Sequence, residues 1–400
     1  MDAIVLDGEQ RSALAVTRSL GRRGVKVTVG AVDTSSLSSC SRYCTRSFRY
    51  PSPYHDPIGF IQAIRDFTKN SPNSMLFPIT DVTLTEILIK KIELQESVVI
   101  PFMDYAKYVQ VSDKIELIRL ARELNVPTPI SFLSTDFSNK ETLIKNISNT
   151  GYPVVVKPSF SKIRSDEGWI DAKVHYASDE NKLREILLLN VFQSFPFLVQ
   201  KRVEGPGVGI FLLMENGKLI AKFAHRRIRE KPPSGGVSVL SESIDPPAEA
   251  MRAAIKILEK LHWNGVAMVE FKIDLENNIA MLLEVNARFW GSLQLAINSG
   301  VNFPYLLYRL GTGENIEDQG GYTVGLRTRW EFGDLDHLLI RLFKKSSKLN
   351  LLPDHPSRAA LFYNFMFDCI RPSVRNEIFQ YDDANPFFYE AREYVKHFFS

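Results

Sequence analysis

Short apolar stretches alternate with amphipathic ones through the first quarter of the chain. The apolar segment Ala3–Leu6 is followed by a turn, a stretch with helical spacing and a second apolar segment, Val25–Val29. A strand, a helix and a strand in this order indicate an α/β fold. Further strands are predicted at Met75–Ile79 and Val98–Ile100, so residues 1–110 are expected to form a small α/β domain.

Two later apolar runs, Val266–Ile273 and Ile279–Val285, each contain one acid and are joined by a polar turn. A buried carboxylate stays ionised only when it is paired or binds a metal. If the hairpin turn is centred on Asn277, Glu270 and Glu284 face each other with Cβ atoms roughly 5 Å apart. Something cationic is then expected between them. The alternative is that each acid points into solvent.

Side chains alternate along a strand, so Glu284, Asn286 and Arg288 are predicted to share a face. Two carboxylates and an amide oxygen are hard ligands of the kind that Mg²⁺ uses together with phosphates. The pattern therefore predicts a magnesium site on this hairpin.

Two lysines occupy unusual positions. Lys114 lies in the first turn of a predicted helix over Val111–Asn125, where a cation is mildly unfavourable with the helix dipole. Lys157 lies within the predicted strand Tyr152–Pro158, where it either extends to solvent or holds a phosphate. The polar segment Ser159–Gly168 follows and has the place of a phosphate cover.

Asn-Gly between apolar runs predicts a second hairpin, from Gly209 to His225. It leads into a basic cluster and the flexible segment Pro232–Gly236, which is either a solvated surface or a loop that closes over anionic groups. The cluster consists of His225, Arg226, Arg227, Arg229 and Lys231.

Asp81 follows a predicted strand and is equally well explained as a helix cap or as a residue facing a ligand. A helix is predicted over Asp334–Lys345, and Arg327, Arg329 and Asp334 are candidate rim residues.

The 400 residues predict two or three domains. The net charge of +3 is too small to indicate a nucleic-acid partner. Three cysteines form no disulfide framework, and a metal site at Cys40 and Cys44 lacks a third ligand. No signal peptide is recognised, and no apolar run approaches the ~20 residues that span a membrane. A cytoplasmic protein without membrane or nucleic-acid partners is expected.

Four features in sequence order resemble the ATP-grasp superfamily over roughly Val111 to Pro304: the strand lysine Lys157, the strand LVQKRVEG, the acid in VEFK and the run LLEVNARF. The resemblance implies an α/β architecture in which the ATP-grasp fold, built of two α+β lobes, follows a small parallel-sheet α/β domain. The implied boundaries are residues 1–110, then lobes at 111–196 and 197–312, and a C-terminal extension at 313–400.

The resemblance also implies roles for individual residues. Lys114 and Lys157 match the lysines that bind the phosphates of ATP, and Arg288 matches the arginine that steadies the phosphoryl group or acyl intermediate. Lys157 and Arg288 are thus the implied catalytic residues. The implied adenine hinge is Gln200, Lys201 and Val203, with Glu204 as a ribose contact, and the implied metal ligands are Glu270, Glu284 and Asn286.

Two departures from the family pattern stand out. The hinge usually has an acid where this chain has Lys201, and the phosphate-covering segment is poor in glycine. Neither departure touches the implied metal ligands.

The implied function is an ATP-dependent ligase that forms an acylphosphate from a carboxylate and joins it to an amine, with two Mg²⁺ ions and Mn²⁺ as a substitute. Substrates are small molecules, and homodimers are common among similar proteins. Candidate substrate residues are Arg226, Arg227, Ser234, Gly235 and Gly236. The alternatives are a carbamoyl-phosphate or carboxyphosphate type of enzyme and a non-catalytic ATP-binding regulator. The sequence names neither the acid nor the amine.

Overall fold

The first part of the chain forms a five-stranded parallel sheet with helices packed on it. A computed structural model describes residues 1–165, 168–233, 235–317, 320–345, 349, 351 and 355–399. The elements of this part are β1 Asp2–Val5, α1 Arg11–Gly21, β2 Val27–Ala31, β3 Cys44–Arg49, α2 Pro57–Lys69, β4 Ser74–Phe77, α3 Asp81–Ile89, α4 Lys91–Leu94 and β5 Val98–Val99. The strand order is β3-β2-β1-β4-β5, and all pairs are parallel. The predicted small parallel-sheet α/β unit is therefore confirmed.

The order in which the strands are added to this sheet reverses at β1, because β2 lies on one side of β1 and β4 on the other. Ligands of open α/β sheets bind at such a point, outside the carboxyl ends of the strands. Asp7, just after β1, is buried there, and its Oδ2 accepts from the backbone nitrogens of Ile79 at 3.0 Å and Thr80 at 2.8 Å. This carboxylate ties together the two loops that border the reversal.

A small antiparallel lobe follows. Its elements are α5 Tyr105–Ser112, α6 Lys114–Glu123, β6 Ser131–Leu133, α7 Lys140–Thr150, β7 Val154–Pro158, β8 Lys162–Ser165, β9 Gly168–Asp171, β10 His175–Ala177, α8 Glu180–Leu187, α9 Asn190–Ser194 and β11 Phe197–Lys201, with a 3-10 turn at Ser134–Asp136. The sheet order is β10-β7-β11-β6, and β8 and β9 form a separate hairpin. Helices α7 and α8 pack on this sheet in a hydrophobic cluster of its own.

The largest sheet has seven strands in the order β16-β15-β12-β13-β14-β17-β18. Its elements are β12 Gly207–Glu215, β13 Lys218–Lys231, β14 Val237–Ser243, α10 Ala248–Lys260, β15 Gly265–Ile273, β16 Ala280–Asn286, α11 Leu293–Ser299, α12 Phe303–Gly311, β17 Arg327–Arg329, α13 Glu331–Phe343, α14 Arg358–Ile370, β18 Val374–Asn376 and α15 Asn385–Phe399. Residues beyond 313 thus extend this sheet by two strands. The helix predicted at Asp334–Lys345 is present and begins three residues earlier.

One continuous hydrophobic core joins the parallel sheet, helices α5 and α6 and the seven-stranded sheet, whereas α7, α8 and the four-stranded sheet share a core of their own. Phe102, from the end of the parallel sheet, packs edge-on against Phe289 with ring centroids 6.4 Å apart. In the described part of the chain, none of the helices has both the length and the apolar character needed to cross a bilayer.

Candidate active site

The two predicted acids face each other in the large sheet. Glu270 of β15 pairs directly with Glu284 of β16, and Met268 with Asn286 keeps the same register. A bulge immediately after Glu270 shifts the register by one residue toward the turn. The predicted facing pair is confirmed. The pairing expected for a turn centred on Asn277 holds only in the half of the hairpin that lies far from the turn. Bulges of this kind bend a strand and re-aim side chains, and they are frequent beside active sites.

Asn286 and Arg288 lie beside the acids, as the alternation predicts. Nδ2 of Asn286 donates to Oε1 of Glu270 at 3.1 Å and to Oε1 of Glu284 at 3.3 Å. Nη2 of Arg288 donates to Oδ1 of Asn286 at 3.3 Å, and its Nε lies 2.8 Å from Oδ2 of Asp81. Four side chains of the hairpin therefore converge, and an acid from the parallel-sheet unit holds the arginine next to them.

Asp81 is not the cap of helix α3. The cap is Thr80, whose side-chain oxygen accepts from the backbone nitrogen of Thr83 at 3.3 Å. Asp81 is the first residue of the helix, and its carboxylate is turned toward Arg288. Of the two explanations for Asp81 that the sequence left open, capping is wrong.

Glu270 has a cationic partner, Arg227, which the sequence suggested as a candidate substrate residue. Nη2 of Arg227 forms a hydrogen-bonded ion pair with Oε2 of Glu270, and Nη1 donates to Oε1 of Glu230 at 3.0 Å. Arg227 comes from β13, and the residue it passes on β12 is Gly207, where an added Cβ would lie 3.9 Å from Cδ of the arginine. The cation expected between the acids is thus provided, on one side, by the protein itself.

The basic cluster is part of a strand, because β13 continues to Lys231. Successive side chains of a strand point to opposite faces. Arg226 accordingly pairs with Glu242, its Nε 2.7 Å from Oε2, on the face away from Arg227. Arg226 and Arg227, two of the candidate substrate residues, therefore lie on opposite faces of the strand and do not bind one substrate carboxylate together. His225 adds no positive charge to this cluster. Burial and, to a smaller extent, the nearby Arg227 lower the pKa of His225 to about 3.

Helices of the C-terminal segment bind the next arginine of β13. Nη2 of Arg229 donates to Asp334 at 2.9 Å and to Asp368 at 2.8 Å. The prediction of Asp334 as a rim residue was wrong, because its side chain is fully buried as a counter-ion. The other two predicted rim residues are also paired within the fold, Arg327 with Glu242 and Arg329 with Cys369.

The charges around the acid pair separate the pKa values of the two carboxylates. Burial raises the pKa of Glu284, but Lys114, Lys157 and Arg227 outweigh burial and hold it below its ordinary value. Burial raises the pKa of Glu270 despite its contact with Arg227. Burial also lowers the pKa of Lys157 to about 8, and Glu284 is the charged neighbour that opposes this most. Glu284 is therefore the member of the pair with the lower pKa, and its charge opposes the fall in the pKa of Lys157.

Lys114 is anchored at the start of helix α6. Asp113 caps this helix, with its Oδ1 accepting from the backbone nitrogen of Ile115 at 2.8 Å. The buried side chain of Lys114 donates to Oγ of Ser161 at 2.8 Å, and its backbone nitrogen donates to the carbonyl oxygen of Ser159 at 2.9 Å. The phosphate-covering segment therefore begins directly against this lysine.

The segment predicted as a loop from Ser159 to Gly168 is in large part a hairpin. Strands β8 and β9 pair antiparallel from Lys162 with Asp171 to Ser165 with Gly168. Residues 166–167 lie outside the described residues. The segment thus gains its shape from a strand pair, which needs far less glycine than an irregular loop.

The predicted hinge residues have their side chains occupied by the protein. Nε2 of the buried Gln200 donates to Oγ of Ser131 at 2.9 Å, and Nζ of Lys201 donates to the carbonyl oxygen of Tyr152 at 3.0 Å. The backbone nitrogen of Lys201 also donates within the fold, to the carbonyl oxygen of Ile130 at 2.9 Å, and the adenine contact implied by the resemblance stays a prediction. Glu204 is exposed, and its ribose contact stays a prediction.

Lys272 is a further cation here that the sequence analysis missed. Its Nζ donates to the carbonyl oxygen of Val203, the third hinge residue, at 3.1 Å. Burial lowers the pKa of Lys272. Its position two residues after Glu270 was the available signal, since alternation places both side chains on one face.

The segment Pro232–Gly236 reaches the small lobe. An added Cβ on Gly235 would lie 3.8 Å from the hydroxyl of Tyr176 in β10, and one on Gly236 would lie 2.3 Å from the carbonyl oxygen of Lys231. The turn therefore requires glycine at 236. Ser234 lies outside the described residues, and the substrate roles of these positions stay predictions.

The chemistry of the acid pair fits Mg²⁺. The two carboxylates converge on one amide, and a half-turn of the Asn286 amide would present its oxygen in place of its nitrogen. Within the described ranges, no cluster of three or more His, Cys, Asp or Glu side chains is arranged to hold a metal without help. Mg²⁺ typically takes one or two protein carboxylates and completes its shell with water and substrate phosphates, so two acids and an amide suffice.

Comparison with known proteins agrees with this architecture. Residues 193–332 match the family model described as ATP-grasp in the biosynthetic pathway with Ter operon. A D-alanine–D-alanine ligase from Thermoanaerobacter sp. (strain X514) is 27% identical over 187 residues, which cover 44% of this chain and 50% of that protein. The chain thus spans about half the length of the curated relatives it matches.

Solved structures share the fold at low sequence identity. Biotin carboxylase from Campylobacter jejuni, solved as a β,γ-ATP complex, has a TM-score of 0.65 at 15% identity, covering 82% of this chain and 74% of its own. An L-amino acid ligase from Bacillus licheniformis has a TM-score of 0.59 at 16% identity, covering 78% and 74%.

The chain shares the fold of these structures and matches an ATP-grasp family model over residues 193–332, so the predicted ATP-grasp fold is confirmed. The D-alanine–D-alanine ligase match adds a resemblance to a ligase over 44% of the chain.

Proposed function

We propose that this protein is an ATP-dependent ligase that activates a carboxylate as an acylphosphate and joins it to an amine. The observation that carries the proposal is the facing pair Glu270 and Glu284, with Asn286 between them and basic side chains on every side. Phosphoryl transfer needs alignment and charge neutralisation more than covalent help. This arrangement provides both and contains no obvious nucleophile.

The lysines and arginines divide the anionic charge of the reactants. Lys114 and Lys157 would bind phosphate oxygens of ATP, since both lie close enough to Glu284 to lower its pKa. Arg288, held by Asp81, would steady the transferred phosphoryl group from the side of the parallel sheet. Glu270, Glu284 and Asn286 would hold Mg²⁺. When bound, Mg²⁺ would neutralise phosphate charge and keep the γ-phosphoryl group in line with the attacking carboxylate.

In the proposed reaction the substrate carboxylate oxygen bonds to the γ-phosphorus as the bond to the β,γ-bridging oxygen breaks, releasing ADP. The amine nitrogen then bonds to the acyl carbon, phosphate leaves, and the amine proton passes to solvent or a base. The Pro232–Gly236 segment, which reaches Tyr176, would keep water from the acylphosphate.

ADP release measured with a coupled assay tests this proposal. The purified protein is incubated with Mg²⁺-ATP and pools of carboxylates and amines, amino acids included, and then with simple carboxylates alone or simple amines alone. ADP that forms only when a carboxylate and an amine are both present supports the ligase. ADP formed with bicarbonate alone would favour a carboxyphosphate enzyme instead, and tight ATP binding without ADP in any pool would leave a non-catalytic regulator.

A further inference from the structure

Helix α3 of the parallel-sheet unit carries a buried carboxylate that binds another part of the chain. Glu86 is only 2% exposed. Its Oε1 accepts from Nε of Arg164 at 2.8 Å and from Nε1 of Trp169 at 3.0 Å. Arg164 and Trp169 are cross-strand partners in the β8–β9 hairpin, so they reach Glu86 from the same face. One buried oxygen atom thus joins the two strands of the hairpin to a different sheet.

A second contact lies beside the first. The backbone nitrogen of Trp169 donates to the carbonyl oxygen of Tyr54 at 3.1 Å. Gly168, at φ +119°, makes this approach possible, because an added Cβ would lie 2.2 Å from that same oxygen. Nζ of Lys162 lies 5.2 Å from the centre of the Tyr54 ring. A backbone hydrogen bond, a contact between a lysine and an aromatic ring, and an ion pair therefore hold the hairpin to the parallel-sheet unit.

The base of the same hairpin reaches the phosphate-binding lysines. Oγ of Ser161 accepts from Nζ of Lys114, and the backbone nitrogen of Ala172 closes the hairpin onto the carbonyl oxygen of Ser161 at 3.0 Å. A displacement of the hairpin from Glu86 would therefore also move the group that contacts Lys114. This gives a mechanical route from a residue of the parallel-sheet unit to the nucleotide site.

We infer that Glu86 is a positioning residue that holds the β8–β9 hairpin in its phosphate-covering place, so that nucleotide affinity depends on a carboxylate that touches no nucleotide. The inference rests on the proposed function in one respect, namely that ATP phosphates bind at Lys114 and Lys157. A glycine-rich cover follows its ligand by backbone flexibility, whereas this glycine-poor hairpin is set in place beforehand by Glu86.

The expected effect follows from population arithmetic. Apparent affinity falls in proportion to the fraction of molecules whose binding site is in the competent arrangement. Hydrogen bonds to an ionised acceptor are roughly twice as strong as neutral ones, and Glu86→Gln neutralises the acceptor for both donors at once. We expect the substitution to weaken binding of a Mg²⁺-bound non-hydrolysable ATP analogue about tenfold.

The matched control is Asp171→Asn. Asp171 lies on the same hairpin, and its exposed carboxylate pairs with Lys162, whose ammonium group keeps its separate contact with the Tyr54 ring. The control therefore makes the same acid-to-amide change without touching the link to Glu86. Trp169→Phe removes one of the two donors from the hairpin side and keeps the N-terminal helix α3 intact.

Calorimetric titration with the ATP analogue and hydrogen exchange of the full-length protein test the inference together. Glu86→Gln and Trp169→Phe should each weaken analogue binding and speed amide exchange in β8 and β9, with effects that are not additive in the double variant. Trp169 fluorescence should change in Glu86→Gln, and Asp171→Asn should bind within about threefold of the wild type.

Three results would overturn the inference: unchanged analogue affinity in both Glu86→Gln and Trp169→Phe, exchange in β8 and β9 that stays at the wild-type rate, or additive effects. A uniform rise in exchange over α3 and the parallel sheet would instead assign Glu86 a purely structural role and equally overturn it. Failure of the wild type to bind the analogue would contradict the proposed function itself.

Discussion

The substitution Glu284→Gln should lower turnover strongly while leaving the fold in place. Glutamine has the shape of glutamate, and its amide oxygen can still accept the 3.3 Å hydrogen bond from Asn286. What it removes is the charge that faces Glu270 and attracts the neighbouring lysines. Relief of the repulsion between two facing acids offsets part of the lost attraction, so the change in folding stability should be small.

The loss of activity has two sources. Burial lowers the pKa of Lys157 to about 8, and Glu284 is the charged neighbour that opposes this most. A lysine of pKa about 8 is about three-quarters protonated at pH 7.5, and loss of the Glu284 charge should lower its pKa and its protonated fraction further. The substitution also removes one of two carboxylates proposed to hold Mg²⁺. Together these effects should lower kcat/KM at least ~100-fold, which corresponds to ~2.7 kcal/mol of transition-state stabilisation.

The assay is ADP release as a function of Mg²⁺ concentration at fixed ATP and substrates. Glu276→Gln is the matched control, because Glu276 lies exposed in the turn of the same hairpin. The control should keep wild-type rates, whereas Glu284→Gln should be slow and should need more Mg²⁺. A kcat/KM within threefold of the wild type, with an unchanged circular dichroism spectrum, would refute the reasoning.

Three further predictions concern the pH response and the packing around the site. Since the pKa of Lys157 is about 8, its charge is lost as the pH rises through 8, and the affinity for Mg²⁺-ATP measured by calorimetry should fall between pH 7 and 9. Lys157→Arg should remove that decline, because arginine stays protonated. Gly209→Ala places a Cβ 2.9 Å from the ring of the buried His225 and should destabilise the fold by about 1–3 kcal/mol in thermal unfolding. Asp334→Ala leaves Arg229 with one of its two buried partners and should cost about 3–5 kcal/mol in chemical denaturation.

Each of these predictions has its own control. Affinity that stays constant from pH 7 to 9 would contradict the role given to Lys157. Gly207→Ala places its Cβ at an ordinary 3.9 Å from the nearest atom and should be tolerated better than Gly209→Ala. Asp336→Asn, on the same helix as Asp334, disrupts a partly exposed pair with Lys231 and should have the smaller effect on stability.

The centre of the site was predictable because it lies in one local hairpin. Two apolar runs separated by a short polar turn set the register, and alternation then placed Glu270, Glu284, Asn286 and Arg288 together. Lys157 was visible as a cation within a run of valines. In each case the informative neighbours are close in sequence, and a period of two carries the geometry.

The partners of these residues were not predictable, because they come from distant parts of the chain. Arg227 reaches Glu270 only because two strands pass on either side of β12, and Asp81 reaches Arg288 across the shared core. Sequence spacing contains no signal for either pair. The basic cluster was predicted to be either a solvated surface or part of a loop that closes over anionic groups, although each of its residues is paired or buried in the folded chain.

The shortest strands were also not predicted from the sequence. β6, β10, β17 and β18 have three residues each, too few for a period to be recognised, and two of them extend the large sheet through long-range pairing alone. The hairpin β8–β9 was taken for a loop for the same reason. Its polar residues face partners in another unit, such as Glu86, rather than a core of its own.

The most direct measurement of the central claim is a crystal structure with Mn²⁺ and a non-hydrolysable ATP analogue, in which anomalous scattering locates the metal. We expect anomalous peaks from Mn²⁺ about 2.0–2.3 Å from carboxylate oxygens of both Glu270 and Glu284, and phosphates in contact with Lys114 and Lys157. A bound nucleotide whose metal lies away from this pair, or phosphates that contact neither lysine, would contradict it.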